Sequence, residues 1–130
     1  MARWTNDDLE HIGSSEELAL ASRRADGSLS GFVTMWVVRV GDDLYVRSAG
    51  GPDRPWFRSA LAGGIGTIRA GDVERDVTFA ETDGGAHDRI DVAYHAKYDR
   101  YGPKIVGSVV GDTAHRVTIR LVPTPRSKES

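Results

Sequence analysis

The segment LYVRSAGGPDRPWFRSALA, residues 44–62, leads from a strand-like run through a glycine turn into a helix that begins at Pro55. Glycine lets a backbone approach a bound molecule closely, and a helix N-terminus offers unpaired N–H groups that suit a phosphate. Arginine recognises the same group through two hydrogen bonds. The segment therefore predicts a phosphate-cofactor site at the mouth of a small β-barrel, made by Arg47, Ser48, Gly50, Gly51, Trp56 and Arg58.

The same segment also fits a structural interpretation, in which a glycine turn joins a strand to a helix and Trp56 anchors the core. In the functional interpretation, Arg47 and Arg58 contact the phosphates and Ser48 donates a hydrogen bond. Trp56 then packs against the loop or against a flat ring. Glycine pairs carry little specificity, so residue chemistry alone leaves both interpretations open.

Length and composition define a single domain, 1–130, that is large enough to bury a core. The chain has no cysteine, which excludes disulfides and thiolate metal ligands. Its net charge of −2 argues against a dedicated nucleic-acid or membrane-surface protein. No apolar run reaches the roughly 20 residues that span a bilayer, and the N-terminus lacks the apolar core of a signal peptide. We therefore expect a cytoplasmic protein.

Turn residues and apolar periodicity divide the chain into short strands and a few helices. The expected strands cover 17–24, 29–40, 44–48, 65–70, 73–80 and 115–122. The expected helices are a short one at 5–13, one that begins at Pro55, and one at 89–101, and 124–130 is a polar tail. The stretch 29–40 is rich in β-branched and aromatic residues and is predicted as a central strand. The stretch 105–110 fits either a strand or a helix.

This order of elements predicts an α+β fold that is mainly β. About six mostly antiparallel strands, joined by tight turns, would close into a small barrel or roll with two or three flanking helices. Neither a second composition regime nor an internal repeat is visible, so no domain boundary is expected.

The helix RIDVAYHAKYDRY, residues 89–101, is the second segment that carries candidate functional groups. One face of this helix carries, at spacings of three and four, Ile90, Tyr94, Lys97, Tyr98 and Tyr101. Such a face can line a pocket with phenols and an ammonium group. Alternatively, Tyr94 and Tyr98 are half-buried core residues with their hydroxyls at the rim, and Lys97 pairs with an acid to serve the fold.

Four possible metal ligands lie close together in the sequence: His87, Asp88, Asp91 and His95. The spacing departs from the HExxH pattern, and acids beside a histidine on a surface helix are usually solvated, so we expect no metal site. The chain also lacks a GxSxG elbow, a GxGxxG fingerprint and a phosphate-binding Walker loop. These absences argue against a nucleophile elbow and a nicotinamide-binding site.

The segments WVVRVGDDLYVRSAGGPDRPWFRSAL, RDVTF, IDVAYHAKYDRYG and RVTIRLVP together resemble the DUF2255 family over nearly the whole chain. The chain is more remotely similar to the deazaflavin (F420)-dependent nitroreductases and their FMN-binding split-barrel relatives. The positions that carry the second resemblance are Ser48, Gly50, Gly51, Trp56, Arg58, Leu61, Tyr98, Tyr101, Leu121 and Pro123. Two features depart from that pattern. Arg58 stands where those proteins have asparagine. Their basic turn between the early strands corresponds here to ADGSLSGFVT, and Arg23 and Arg24 lie just before it at a different spacing.

The second resemblance implies a split β-barrel that forms a homodimer and binds F420 or FMN near the subunit interface. The implied activity is that of an oxidoreductase acting on a small organic substrate, in a biosynthetic pathway. The cofactor ring would lie in a cleft lined by Trp36, Trp56 and the tyrosine-bearing helix at 89–101. The candidate catalytic residues are Lys97, Tyr98, Tyr101 and His95, of which the first three would orient the substrate.

Two other functions fit the same fold. A cofactor-independent pocket could bind a small molecule or catalyse a cyclisation or isomerisation by acid–base chemistry, and Asp91, His95 and Lys97 would then carry the function. The third alternative is a dimeric module with a purely structural role.

Overall fold

A single antiparallel sheet organises the protein in the computed structural model, which describes residues 4–24, 26–49, 51–82 and 84–124. Its seven strands are β1 (Leu18–Ser22), β2 (Val33–Met35), β3 (Val38–Val40), β4 (Asp43–Arg47), β5 (Ile65–Ala70), β6 (Val73–Ala80) and β7 (Thr118–Pro123). They lie in the order β2-β1-β5-β6-β7-β4-β3. The curled sheet is a half-barrel, which confirms the predicted α+β split barrel with one strand more than expected.

Tight glycine turns connect β3 to β4 and β5 to β6. Gly41 between β3 and β4 has a φ of 63°, and Gly71 between β5 and β6 has a φ of 60°. Glycine adopts this left-handed backbone without the steric cost of a side chain. The predicted strands at 44–48, 65–70 and 73–80 therefore form close to their expected bounds.

The prediction of one central strand over 29–40 is wrong. The structure places two three-residue strands there, β2 and β3, at opposite edges of the sheet. The chain leaves the sheet at Val37, whose N–H donates to the Tyr98 hydroxyl at 3.2 Å. The carbonyl of Val37 accepts from Lys97 Nζ at 2.7 Å. Side chains of a distant helix thus satisfy a backbone that would otherwise pair with a strand.

The helices are α1 (Asn6–Ser14), α2 (Pro55–Gly63), α3 (His87–Tyr98), α4 (Pro103–Val106) and α5 (Asp112–His115). The Thr5 side chain accepts from the Asp8 N–H at 3.0 Å and caps α1. The expected helix at 89–101 begins earlier, at His87, and its last residues, Asp99–Tyr101, form a 3-10 turn. The ambiguous stretch 105–110 is largely helical, because α4 continues into a 3-10 turn at Gly107–Val109.

Two apolar clusters fill the interior. The larger one packs α1 and α2 on the sheet through residues such as Leu9, Phe57 and Ile68. The smaller one seats α3 through Ile90 and Tyr94. These clusters fix the helices whose side chains border the clefts described below.

Gly66 in β5 lies where the sheet allows no side chain. A Cβ atom there would stand 2.1 Å from the Ala21 carbonyl oxygen and 2.8 Å from the Phe79 ring. The Phe79 ring therefore packs directly over the glycine backbone.

Candidate functional site

A cleft of about 550 Å³ opens between the β2 edge and the start of α2. Trp36 and Trp56 both border it, as do the apolar side chains of Val33, Met35 and Ile105. We call it the tryptophan cleft. The structure thus places both tryptophans at one cleft, but no described residue of the tyrosine-bearing helix borders it, which corrects that part of the expectation.

A second cleft of about 820 Å³ adjoins the first and shares Val33, Pro55 and Trp56 with it. Arg23 and Arg24 border this second cleft, which we call the arginine cleft. The two clefts together form one groove. Its aromatic end is at Trp36 and its cationic end is at the turn that follows β1.

Arg47 does not offer its guanidinium group to this groove. The side chain is buried and forms an ion pair with Asp91. Its Nη1 also donates to the Val109 carbonyl at 2.7 Å, and its Nε donates to Thr118 Oγ1 at 2.8 Å. The expectation that Arg47 binds a cofactor phosphate is therefore corrected, because internal partners occupy the guanidinium group.

Asp91 is held by several donors at once. Burial opposes the charge of this carboxylate, but hydrogen bonds from Arg47 and His115 outweigh it and keep the pKa of Asp91 below its usual value. The Gly111 N–H adds a contact at 3.3 Å. Asp91 therefore stays ionised and joins α3 to the segment that precedes β7.

Ser48 closes the turn after β4. Its hydroxyl donates to the Gly51 carbonyl at 2.6 Å, and the Gly51 N–H donates to the Ser48 carbonyl at 3.1 Å. Gly51 has a φ of 91°, which explains the glycine at that position. The predicted contribution of Gly50 falls outside the described residues. Ser48 is buried and used by the turn, so its hydroxyl is not available as the expected cofactor donor.

Two tyrosine rings, one at the end of α3 and one in the 3-10 turn that follows it, pack against Trp36. The rings of Trp36 and Tyr98 stack with centroids 4.0 Å apart, and Tyr101 lies 5.5 Å from Trp36. Tyr98 is fully buried, and its hydroxyl donates to the Glu16 carbonyl at 2.7 Å. Burial raises the pKa of the Tyr98 hydroxyl. The expectation that Tyr98 contacts substrate is corrected, because the side chain belongs to the core.

Tyr101 is partly exposed and donates its hydroxyl to the Glu16 carboxylate. Arg100 donates to the same carboxylate. This three-residue contact lies at the end of α3, and Tyr101 does not border either cleft of the groove.

Lys97 is tied to two backbone carbonyls. Its Nζ donates to Gly13 and to Val37, at 2.7 Å in each case. Burial lowers the pKa of Lys97 to about 8. The amine thus joins α1 to the chain between β2 and β3, which is a structural position and not the expected contact with substrate.

His95 and Arg58 lie away from the groove. His95 Nδ1 is 2.8 Å from Asp99 Oδ1 on the exposed side of α3. Arg58 is exposed on α2 and does not border either cleft of the groove. Among the described residues, no three histidine, aspartate or glutamate side chains converge in a way that would hold a metal ion.

Sequence reasoning gave little weight to the residues that supply the charge of the groove. Arg54 precedes α2 and borders the tryptophan cleft. Ser22 is buried at the arginine cleft, and its Oγ has no hydrogen-bond partner among the residues that the structure describes. The adjacent pair Arg23–Arg24 was the available signal, since it precedes a Ser- and Gly-rich turn.

No helix in the described part of the chain combines the length and the apolar character that crossing a bilayer requires. A comparison with curated protein sequences finds no match.

Solved structures with the same fold cover nearly the whole chain. The heme storage protein HutZ from Vibrio cholerae superposes with a TM-score of 0.63 at 15% identity, over 95% of this chain and 92% of that one. An F420 reductase gives 0.54 at 18% identity, over 90% and 93%. An FAD-binding protein from Mesorhizobium loti gives 0.56 at 16% identity, over 96% and 93%. At these identities the likeness establishes the split-barrel fold.

The sequence profile of the family described as "Uncharacterized protein conserved in bacteria (DUF2255)" matches residues 8–121. That match spans most of the chain and includes β1 to β6 in full and the first four residues of β7. The protein therefore belongs to the DUF2255 family.

Proposed function

We propose that this protein binds a flavin-type cofactor, F420 or FMN, in the groove formed by the tryptophan and arginine clefts, and acts as an oxidoreductase on a small organic substrate. The observation that carries the proposal is the continuity of the groove. An aromatic, mainly apolar end and a cationic end meet at Trp56. A ligand with a flat ring and an anionic tail would match these two ends, because its ring is apolar and its tail carries the opposite charge to the arginines.

The aromatic end fits a flat ring. Trp36 is held in place because Tyr98 stacks on its inner face at an interplanar angle of 5°. Trp56 packs against the larger apolar cluster. A rigid aromatic wall binds a planar ligand without a large loss of side-chain entropy. Once bound, a flavin or deazaflavin ring supplies the hydride chemistry.

The cationic end fits a phosphate. Arg23 Nη1 donates to the Gly27 carbonyl at 2.7 Å, and Arg24 Nη1 donates to the Leu29 carbonyl at 3.0 Å. A guanidinium group carries five N–H donors, so each contact leaves others for an anion. The unpartnered Ser22 hydroxyl adds a buried donor beside them. Arg23, Arg24 and Arg54 therefore replace Arg47 and Arg58 as the proposed anion ligands.

The α3 residues act on the groove indirectly in this proposal. Lys97 and Tyr98 bind the backbone of Val37, next to Trp36 in the chain. We therefore assign them a positioning role, in which they hold the Trp36 ring in the orientation that the ligand meets.

We also propose that two copies of the chain form a homodimer through this side of the barrel. β2 is an edge strand, and the exposed side chains of Val33 and Ile105 border the tryptophan cleft beside it. An unpaired strand edge with apolar neighbours favours association. A second copy there would close the cleft and exclude water from the ring.

A cofactor-independent acid–base enzyme has less support on the same fold. Asp91 is neutralised by Arg47, and His95 is exposed beside Asp99. Lys97 points its amine at two carbonyls. These three candidate groups do not meet in one cleft.

Titration of the purified protein with FMN and with F420 tests the proposal. Tryptophan fluorescence should fall saturably as the ring covers Trp36 and Trp56, and the visible spectrum of the bound ligand should shift. Riboflavin, which lacks the phosphate, is the matched ligand and should bind about tenfold or more weakly than FMN. Absence of saturable binding of both cofactors at millimolar concentrations would refute the proposal.

A further inference from the structure

A third cleft, of about 430 Å³, shares no lining residue with the groove. Phe57, Leu61 and Phe79 give it an apolar wall, and His87, His115 and Thr82 supply polar groups. We call it the histidine cleft. The two imidazole rings stack with centroids 4.4 Å apart and an interplanar angle of 11°.

The contact with Asp91 determines which ring nitrogen of His115 carries a proton. His115 Nε2 lies 3.1 Å from Asp91 Oδ2. Because the ionised carboxylate only accepts hydrogen bonds, Nε2 must donate, and the neutral ring then has an acceptor lone pair at Nδ1. Among the described residues, His115 Nδ1 has no hydrogen-bond partner.

The contact with Arg47 determines the protonated nitrogen of His87, where Nδ1 accepts a hydrogen bond instead of donating one. His87 Nδ1 lies 3.4 Å from Arg47 Nη2. Because arginine only donates, Nδ1 must accept, and the neutral ring carries its proton on Nε2. Burial and the nearby Arg47 guanidinium lower the pKa of His87 and favour this neutral form. In the neutral forms, the stacked pair therefore has an acceptor at His115 Nδ1 and a donor at His87 Nε2.

Thr82 adds an unused hydroxyl to the same cleft. Its Oγ1 is buried and has no hydrogen-bond partner among the residues that the structure describes. Buried hydroxyl groups are normally paired, and one without a partner calls for an explanation. A bound molecule in the histidine cleft would give it a partner.

We infer that the histidine cleft is a second small-molecule site, separate from the groove, for a ligand that joins an apolar ring to a primary carboxamide or a similar donor–acceptor group. A carboxamide N–H would donate to His115 Nδ1, and its carbonyl would accept from His87 Nε2. The ring would pack against Phe57 and Phe79. The centroids of the two imidazole rings are only 4.4 Å apart, so one amide group can reach both rings.

Benzamide is a suitable probe, followed by the chemical-shift changes of backbone amides in the full chain. Saturable changes confined to residues around the histidine cleft are expected. N,N-dimethylbenzamide keeps the ring and the carbonyl but lacks the N–H donor, and should bind about tenfold more weakly. Equal binding of the two amides, or no saturable binding of benzamide at millimolar concentration, would overturn the inference.

Two variants and one control test whether benzamide binds in the histidine cleft. Thr82→Val removes a hydroxyl that has no partner in the free protein, so it should leave folding intact and weaken benzamide about threefold to tenfold. His115→Phe keeps a stacked ring but removes the acceptor, and should weaken it about tenfold. His95→Phe changes an exposed histidine outside the cleft and should bind as the wild type does. Undiminished benzamide binding by Thr82→Val and His115→Phe together would contradict the assignment.

Discussion

The guanidinium group of Arg47 and the carboxylate of Asp91 form an ion pair that joins the sheet to α3. The arginine side is fully buried, and the aspartate side is 23% exposed. Contacts to Thr118 and to the Val109 carbonyl extend the link to β7 and to the turn after α4. The arginine that the motif suggested for cofactor binding is therefore a structural junction of the fold.

Replacing one partner of this pair should destabilise the protein. Asp91→Asn leaves the Arg47 charge buried without its counter-ion, and we expect a loss of about 2–3 kcal/mol in the free energy of unfolding. Urea denaturation measures it. Glu74→Gln is the control, because Glu74 pairs with Arg69 at 2.8 Å with both side chains more than half exposed. That control should change the stability by no more than about 0.5 kcal/mol. Equal effects of the two substitutions would contradict the structural role of Asp91.

The same pair predicts how stability depends on acid. The pKa of Asp91 is lower in the folded protein than in the unfolded chain. The unfolded state therefore binds the proton first as the pH falls below about 4, and the stabilisation from Asp91 is lost through the folded pKa. Asp91→Asn should lack this part of the acid dependence. Parallel stability curves of wild type and variant between about pH 6 and about pH 2 would disagree with this reasoning.

Lys97 should make the protein more stable in mild alkali. Its pKa is about 8 in the folded state and about 10.4 in an unfolded chain. Between these values the unfolded state binds more protons, so stability rises with pH. We expect a gain of about 1 kcal/mol from about pH 7.5 to about pH 9.5 in the wild type relative to Lys97→Met.

Urea denaturation across that pH range measures the effect. Lys104→Met is the control, because Lys104 is exposed on α4. The buried tyrosines contribute equally to both proteins and cancel in the difference. If the stability difference between wild type and Lys97→Met stayed constant with pH, the lowered pKa of Lys97 would be wrong.

Arg54 and Arg58 distinguish the observed groove from the site that the motif suggested. Arg54 borders the tryptophan cleft, whereas Arg58 lies on the same helical segment outside the groove. On the proposed function, Arg54→Gln should weaken FMN about tenfold through the loss of a charge-assisted contact to phosphate. Arg58→Gln should leave the affinity unchanged. Fluorescence titration compares them, and the reverse order would return the site to Arg58.

Gly66→Ala should unfold or severely destabilise the protein. The added Cβ would meet a carbonyl oxygen at 2.1 Å, a contact that only a shift of β1 against β5 can relieve. We expect a loss of about 3 kcal/mol or more. Gly107→Ala is the matched control, because nothing lies within 4 Å of its Cβ position. A thermal midpoint of Gly66→Ala close to that of the control would argue against the β1–β5 register.

Much of the fold follows from local signals in the sequence. Gly71 defines the β5–β6 hairpin because turn residues and alternating strands act within a few positions of each other. The break at Val37 has no comparable local signal. Its backbone partners are the side chains of Lys97 and Tyr98, some sixty positions away. Long-range hydrogen bonds of this kind overrule β-propensity.

In the candidate site, too, local signals predict some features and long-range contacts determine others. The placement of Trp36 and Trp56 on one cleft follows from the order of the elements and from the family resemblance. The role of Arg47 depends on Asp91, which lies 44 positions further along the chain. Residue chemistry shows that an arginine can bind a phosphate. Only the tertiary structure shows that the guanidinium group of Arg47 binds an internal carboxylate instead.

Arg47 stands between the tryptophan cleft, which it borders, and His87 of the histidine cleft, which it contacts. One side chain thus borders one cavity and contacts the wall of another. A ligand that moves Arg47 from one side changes the free energy of binding on the other, and the coupling is reciprocal. Cooperativity between FMN and benzamide, of equal size in either order of addition, is the thermodynamic signature of that shared wall.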